Sequence, residues 1–211
     1  MSGKKVLKNI AMCALGILPI FIFILIFALS SGKYKDIGAK SIYKCDYISF
    51  ALNTKIKIYN DTEDDLLYAV EGNILKWTTD PLTLYDEKQN HKKIMYAGDS
   101  LNFFSQDSHS IQSLPKKESL CEMEGKFSFS GNSYKLYINN TYTGDATFNS
   151  HSTHGEVKTK TGDLIADFYR KNIFVKDYTV QIKENNIFSD ETLLMIFASF
   201  VSDYTADEEN D

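Results

Sequence analysis

A mainly β fold is predicted for this chain: a closed twelve-stranded antiparallel barrel around a central hydrophobic C-terminal helix, preceded by one transmembrane helix. Three observations carry that expectation. Residues 10–30 run without a charge, short alternating segments fill most of the chain after them, and a run apolar on every side lies near the C-terminus.

The first element comes after a basic leader, residues 1–9, with Lys4, Lys5 and Lys8. Residues 10–30 (IAMCALGILPIFIFILIFALS) are long enough at the rise of an α-helix to cross the hydrocarbon of a bilayer. The lipid bilayer is therefore the first partner implied. Pro19 predicts a kink, which membrane helices tolerate. The Ala28-Leu29-Ser30 end loosely fits a signal-peptide cleavage rule. The apolar run exceeds a usual signal segment, which favours a retained, single-pass anchor in the cell membrane. Lysines on the two sides of the run nearly balance. The short basic leader tips the comparison toward an extracytoplasmic domain.

Residues 31–42 read as a linker, and residues 43–204 as the folded domain. KIKIYND (55–61) shows the strand pattern: Ile56 and Ile58 point one way, Lys55, Lys57 and Tyr59 the other. A longer regularity overlies it. KIKIYNDTEDDLLYAVEGN is echoed by LTLYDEKQNHKKIMYAGDS and more faintly by YKLYINNTYTGDATFNS. Tyr59 and Tyr85 are 26 residues apart, and Tyr137 comes after two further such steps, with Ile111 at the midpoint. Trp77, Phe103 and Phe129 keep the same step in the connectors. With Phe104, they are expected to pack the barrel wall against the helix. A fixed period in the twenties means a repeated supersecondary unit. Here the unit is a hairpin, and roughly twelve strands result between residues 43 and 184. A sheet of that size splits or curls, and an even number of up-and-down strands favours closure.

The last element begins at the capping signal Ser189-Asp190-Glu191 and runs to about residue 203. TLLMIFASFV (192–201) is apolar around the whole helical wheel. Such a helix is buried on all faces, and it is too short to span a bilayer. Threading the barrel satisfies both constraints. An acidic tail without regular structure is expected over residues 205–211.

These segments resemble the tubby C-terminal-like superfamily, in its bacterial LURP-one-related branch. The resemblance rests on IYNDTEDDLLYAVEG, LYDEKQNHKKIMYAGDS, EGKFSFSGNSYKLYINN and the closing SDETLLMIFASFVSDYT, and spans about residues 43–204. It implies the same barrel and central helix. Related families include phosphoinositide-binding tubby proteins and phospholipid scramblases, but no motif for their lipid or cation sites can be placed here. The membrane segment departs from the usual soluble bacterial form.

Function is less legible. The chain carries 23 Lys+Arg and 28 Asp+Glu. Without the leader, 20 basic residues face 28 acidic ones, a net of −8. That balance argues against nucleic acid as a partner. No P-loop, dinucleotide fingerprint, EF-hand loop or nucleophile elbow occurs, so neither a cofactor nor an enzymatic activity is expected. The cysteines show no zinc spacing. Cys45 and Cys121 read as two buried free thiols, with a disulfide as the alternative in an oxidising compartment. His151, His154 and Glu156 read as a solvated turn in preference to a metal site. His91 and His109 have no nameable partner. Asp61, Glu63, Asp64 and Asp65 read as a solvated hairpin tip in preference to a calcium site. The pairs Lys55 with Lys57 and Lys158 with Lys160 are each read as sharing a sheet face. They are the sequence's one hint of an anionic lipid headgroup. The chain is thus expected to be a membrane-anchored, non-enzymatic barrel that binds a lipid headgroup or a protein. A scramblase-like lipid-handling protein is the alternative, and an envelope enzyme, with no motif behind it, the third.

Overall fold

Alternation along each strand becomes an inside and an outside. A computed structural model describes residues 35–50, 53–73, 82–99, 108–126, 132–149, 153–170 and 177–208. The expected membrane segment, Trp77, Phe103, Phe104, Phe129 and His151 lie outside these residues. Among the described residues no helix is long and apolar enough to cross a membrane.

The described residues form twelve strands: β1 (Ser41–Phe50), β2 (Asn53–Tyr59), β3 (Leu66–Asn73), β4 (Leu82–Asp86), β5 (Lys92–Asp99), β6 (Ser108–Ser113), β7 (Ser119–Lys126), β8 (Ser133–Ile138), β9 (Thr141–Phe148), β10 (His154–Thr159), β11 (Leu164–Arg170) and β12 (Asp177–Ile182). Each pairs antiparallel with its neighbours in sequence. The β1–β12 seam, from Ser41 opposite Ile182 to Asp46 opposite Asp177, closes the barrel. Closure leaves no unpaired edge. Ile56 and Ile58 are fully buried inside while Lys55 and Lys57 face outward, as expected.

The repeat has a structural counterpart. Register shifts fall at Ile58/Tyr59, Leu84/Tyr85, Ile111/Gln112, Leu136/Tyr137 and Val157/Lys158, each in a pair joined by a short tip. The first four keep the 26-residue step to within a residue. The other pairings run in unbroken register. A bulge adds local twist and bend, and a bulge in every repeat supplies the curvature that closure needs. All five tips lie at one end of the barrel. There Glu63, Asn90, His91, Lys117, Asn139 and Asn140 adopt left-handed backbone conformations, where Asn is well tolerated. Where β9 meets β10 the chains pack so closely that a Cβ on Gly144 would collide with the Lys158 carbonyl oxygen.

The sixth place at that end is taken by the chain entering helix α1 (Asp190–Glu208). Asn185 Oδ1 accepts hydrogen bonds from Ile187 N and Phe188 N, and Ser189 Oγ caps the helix by accepting from Thr192 N. Tyr43 of β1 donates to Asp190 Oδ2 (2.8 Å) and Tyr68 of β3 donates to Glu191 Oε1 (3.0 Å), tying the first turn to the rim. Every residue from Leu193 to Phe200 is at most 1 % exposed. Ser199, the polar exception, returns its hydroxyl to the Met195 carbonyl. The helix packs against one arc of the wall: Phe197 meets Phe168 and Tyr178 of β11 and β12, and Phe200 meets Tyr134 and Phe148 of β8 and β9. It is the core of the barrel.

Two boundaries differ from expectation. The helix runs five residues beyond 203, through residues 205–208 of the expected tail, because apolarity marks how far a helix is buried and not how far it continues. The barrel begins at Ser41, and residues 35–40 are no loose linker. Asp36 Oδ1 accepts from Gly38 N, whose φ of 67° lets the chain turn back. This strap lies across the outer face of β12.

Candidate functional site

Beneath the strap the outer wall holds two fully buried polar side chains. Asp167 of β11 and Gln181 of β12 are opposite each other in register and both 0 % exposed, although their neighbours Ala166, Phe168, Val180 and Ile182 point into the core. Gln181 bonds the strap through both ends of its amide. Its Nε2 donates to the Lys35 carbonyl (2.7 Å) and its Oε1 accepts from Ile37 N (3.5 Å).

On the other side Asp167 stands directly opposite Glu156 of β10. Like charges so placed repel and call for a cation. His154, two residues before Glu156 on the same strand, supplies one: its Nε2 lies 2.7 Å from Asp167 Oδ1. Lys158 forms an ion pair with Glu156. The second oxygen of Asp167 makes no hydrogen bond. Ligand atoms of His154, Glu156 and Asp167 all lie within 4.8 Å of one another, the single such group of three among the described residues. The start of β10 is fixed by Asn149, whose Oδ1 accepts from Thr153 N (2.8 Å) and whose Nδ2 donates to Thr153 Oγ1 (2.9 Å).

The hydrogen bond to Asp167 holds the His154 pKa above its ordinary value, against partial burial. The charges of Asp167 and Glu156 act in the same direction and Lys35 opposes them. The raised folded value has a definite sign. Protonated His154 stabilises the fold below the ordinary imidazole range, and that contribution disappears as pH climbs through the raised value. The melting temperature of the wild type relative to His154→Gln is therefore expected to fall as the pH rises above the ordinary imidazole range; a difference that stays flat as the pH is raised would show that the bond carries no charge.

The solvated-turn reading of His154 and Glu156 is corrected: both belong to β10, and their partner comes from the next strand. The other candidates are scattered. Lys55 is committed to Glu71 (2.7 Å) and Lys158 to Glu156. Lys57 lies on β2 with Lys55, and β1, β12 and β11 separate that strand from β10. Lys160 does not share the strand face of Lys158, because β10 ends at Thr159 and Lys160 stands in the turn. There it borders a hollow of about 410 Å³ with Thr141, Thr143, Thr159, Thr161 and Asn186. Asp163 stands in the same hollow and accepts the Thr161 hydroxyl (2.6 Å).

His91 does have partners, Glu87 at 2.8 Å and the stacked ring of Tyr85. His109 is buried near Tyr134. Asp61, Glu63, Asp64 and Asp65 form an exposed tip around Asn60, whose Oδ1 accepts from the amides of Asp64 and Asp65. Cys45 and Cys121 are buried free thiols. Burial pushes Cys121 up to about 12 and Cys45 higher, so neither is a nucleophile near neutrality. No family model, curated protein or solved structure matches this chain.

Proposed function

We propose that the chain is a non-enzymatic binding module, tethered through residues 10–30 to the cell membrane with its barrel on the extracytoplasmic side. The observation that carries this reading is the filled interior: Leu193–Phe200 occupy the space in which a carrier barrel would hold a ligand. Binding then falls to the outer wall and the hairpin tips. The resemblance to tubby-like proteins favours an anionic lipid headgroup over a protein as the ligand. With Lys55 and Lys158 held by carboxylates, the contact best placed for it is Lys160 with its surrounding threonine hydroxyls.

Residues 34–211, shown by circular dichroism to keep their strand content, should co-sediment with vesicles containing anionic headgroups and not with neutral ones. Lys160→Glu should weaken that binding several-fold. Absence of headgroup dependence would leave a protein partner as the ligand. Lipid movement across proteoliposomes by the full chain would instead favour the scramblase-like alternative.

A further inference from the structure

We propose that His154, Glu156 and Asp167 form a binding site for one divalent transition-metal ion of the zinc class on the outer wall of β10 and β11. The site is independent of the headgroup reading, since Lys160 and its hollow lie at the tip end, beyond the end of β10.

Four features point to a metal. Glu156 and Asp167 oppose each other across the sheet, so two carboxylates converge where one cation between them relieves the repulsion. One of those carboxylates is fully buried with an oxygen that makes no hydrogen bond, the lone pair that a buried carboxylate is expected to satisfy. An imidazole nitrogen completes the set within 4.8 Å. One nitrogen and two carboxylate oxygens are the donor types zinc accepts at about 2.0–2.2 Å. Finally, His154 has 32 % of its side chain exposed, which gives an ion a route in from solvent.

Occupancy requires a local adjustment between the histidine and the aspartate. Two ligands on a tetrahedral ion stand about 3.3 Å apart, against 2.7 Å between His154 Nε2 and Asp167 Oδ1. A small rotation of the imidazole opens the gap. The ion takes the place of the proton on Nε2 and releases it to solvent. It also displaces Lys158 from Glu156. A solvent molecule supplies the fourth ligand, as the histidine side of the site is open.

Zn²⁺ titration of the full chain in detergent, against a chromophoric chelator, tests the assignment. One equivalent is expected, with at least a tenfold loss of affinity in His154→Ala and in Glu156→Gln. His91→Ala, which removes the exposed His–Glu pair at a hairpin tip, should bind like the wild type. Lys158→Ala should bind several-fold more tightly, because it frees Glu156 from competition. Circular dichroism confirms that each variant is folded, and Glu156→Gln, a change of one atom, serves should His154→Ala fail to fold. No saturable binding, or equal binding by the wild type and the ligand variants, overturns the site. A Lys158→Ala variant that binds no tighter than the wild type overturns the role of Glu156.

Discussion

Leu194→Asp is expected to abolish the folded barrel. Leu194 is 0 % exposed on a helix with no solvent-facing side between Leu193 and Phe200. Truncating a buried leucine costs about 2–5 kcal/mol, and burying an unpaired carboxylate adds several more. Total stabilities of about 5–15 kcal/mol leave little after such a loss. The new carboxyl would escape part of the penalty by staying protonated, so structure should return partially as the pH is lowered, and Leu194→Asn should lack that pH dependence. Circular dichroism and urea titration between pH 4 and pH 8 read both outcomes. In the wild type, hydrogen exchange should find the amides of Leu193–Val201 among the slowest in the chain. A soluble, cooperatively folded Leu194→Asp, or fast exchange along this helix, would place the helix outside the barrel.

The architecture was legible because each of its rules is local. Ile56 and Ile58 alternate with Lys55 and Lys57 whatever lies across the sheet, and TLLMIFASFV is apolar all round without reference to its surroundings. The hairpin period showed in Tyr59, Tyr85 and Tyr137 because each copy repeats its bulge at nearly the same place. The site depends on contacts that a linear pattern does not contain. Within LIADFYR, Asp167 falls on the outward parity, where a charge is ordinary. In the fold it is buried, with His154 on one flank and, on the other, Gln181 bonded to the strap, some 130 residues earlier in the chain. His154 was readable only once strand register replaced helical spacing. On a helix its natural partner is His151, three residues away; on a strand the partners are Glu156, two residues on, and Asp167 across the hairpin. A histidine and a glutamate two apart at the head of one hairpin strand, with an aspartate in the other, were the available signal.

The strap brings residues 35–40 to the edge of the outer-wall cluster, two parts of the molecule far apart in sequence. The first described bond of the strap, from Gln181 Nε2 to the Lys35 carbonyl, is made by the cross-strand neighbour of Asp167.

Phe200→Ala should destabilise the barrel by about 3–5 kcal/mol, the range for removing a buried phenylalanine. The ring is 1 % exposed and belongs to an unbroken series. Tyr134 packs edge-on against Phe200 with centroids 5.0 Å apart, and Phe200 meets Phe148 at 4.7 Å. Phe148 stacks on Phe168 at 5.9 Å, Phe168 meets Phe197 at 5.4 Å, and Phe197 meets Tyr178 edge-on at 5.1 Å. The series thus joins two helix residues, three apart, to β8, β9, β11 and β12. Gly155 makes the arrangement possible, because a Cβ there would run into the Phe148 ring. Aromatic pairs of this geometry add about 0.5–1.5 kcal/mol beyond their burial. Phe197→Ala should therefore cost a similar amount to Phe200→Ala. The double variant should cost less than their sum, because each single change already loosens the Phe148–Phe168 stack that the two share. Urea midpoints with an unchanged denaturant slope measure all three. Strict additivity would mean that the helix grips the β8–β9 and β11–β12 strand pairs independently, and a loss below about 1 kcal/mol for Phe200→Ala would mean that this ring is not packed into the barrel wall.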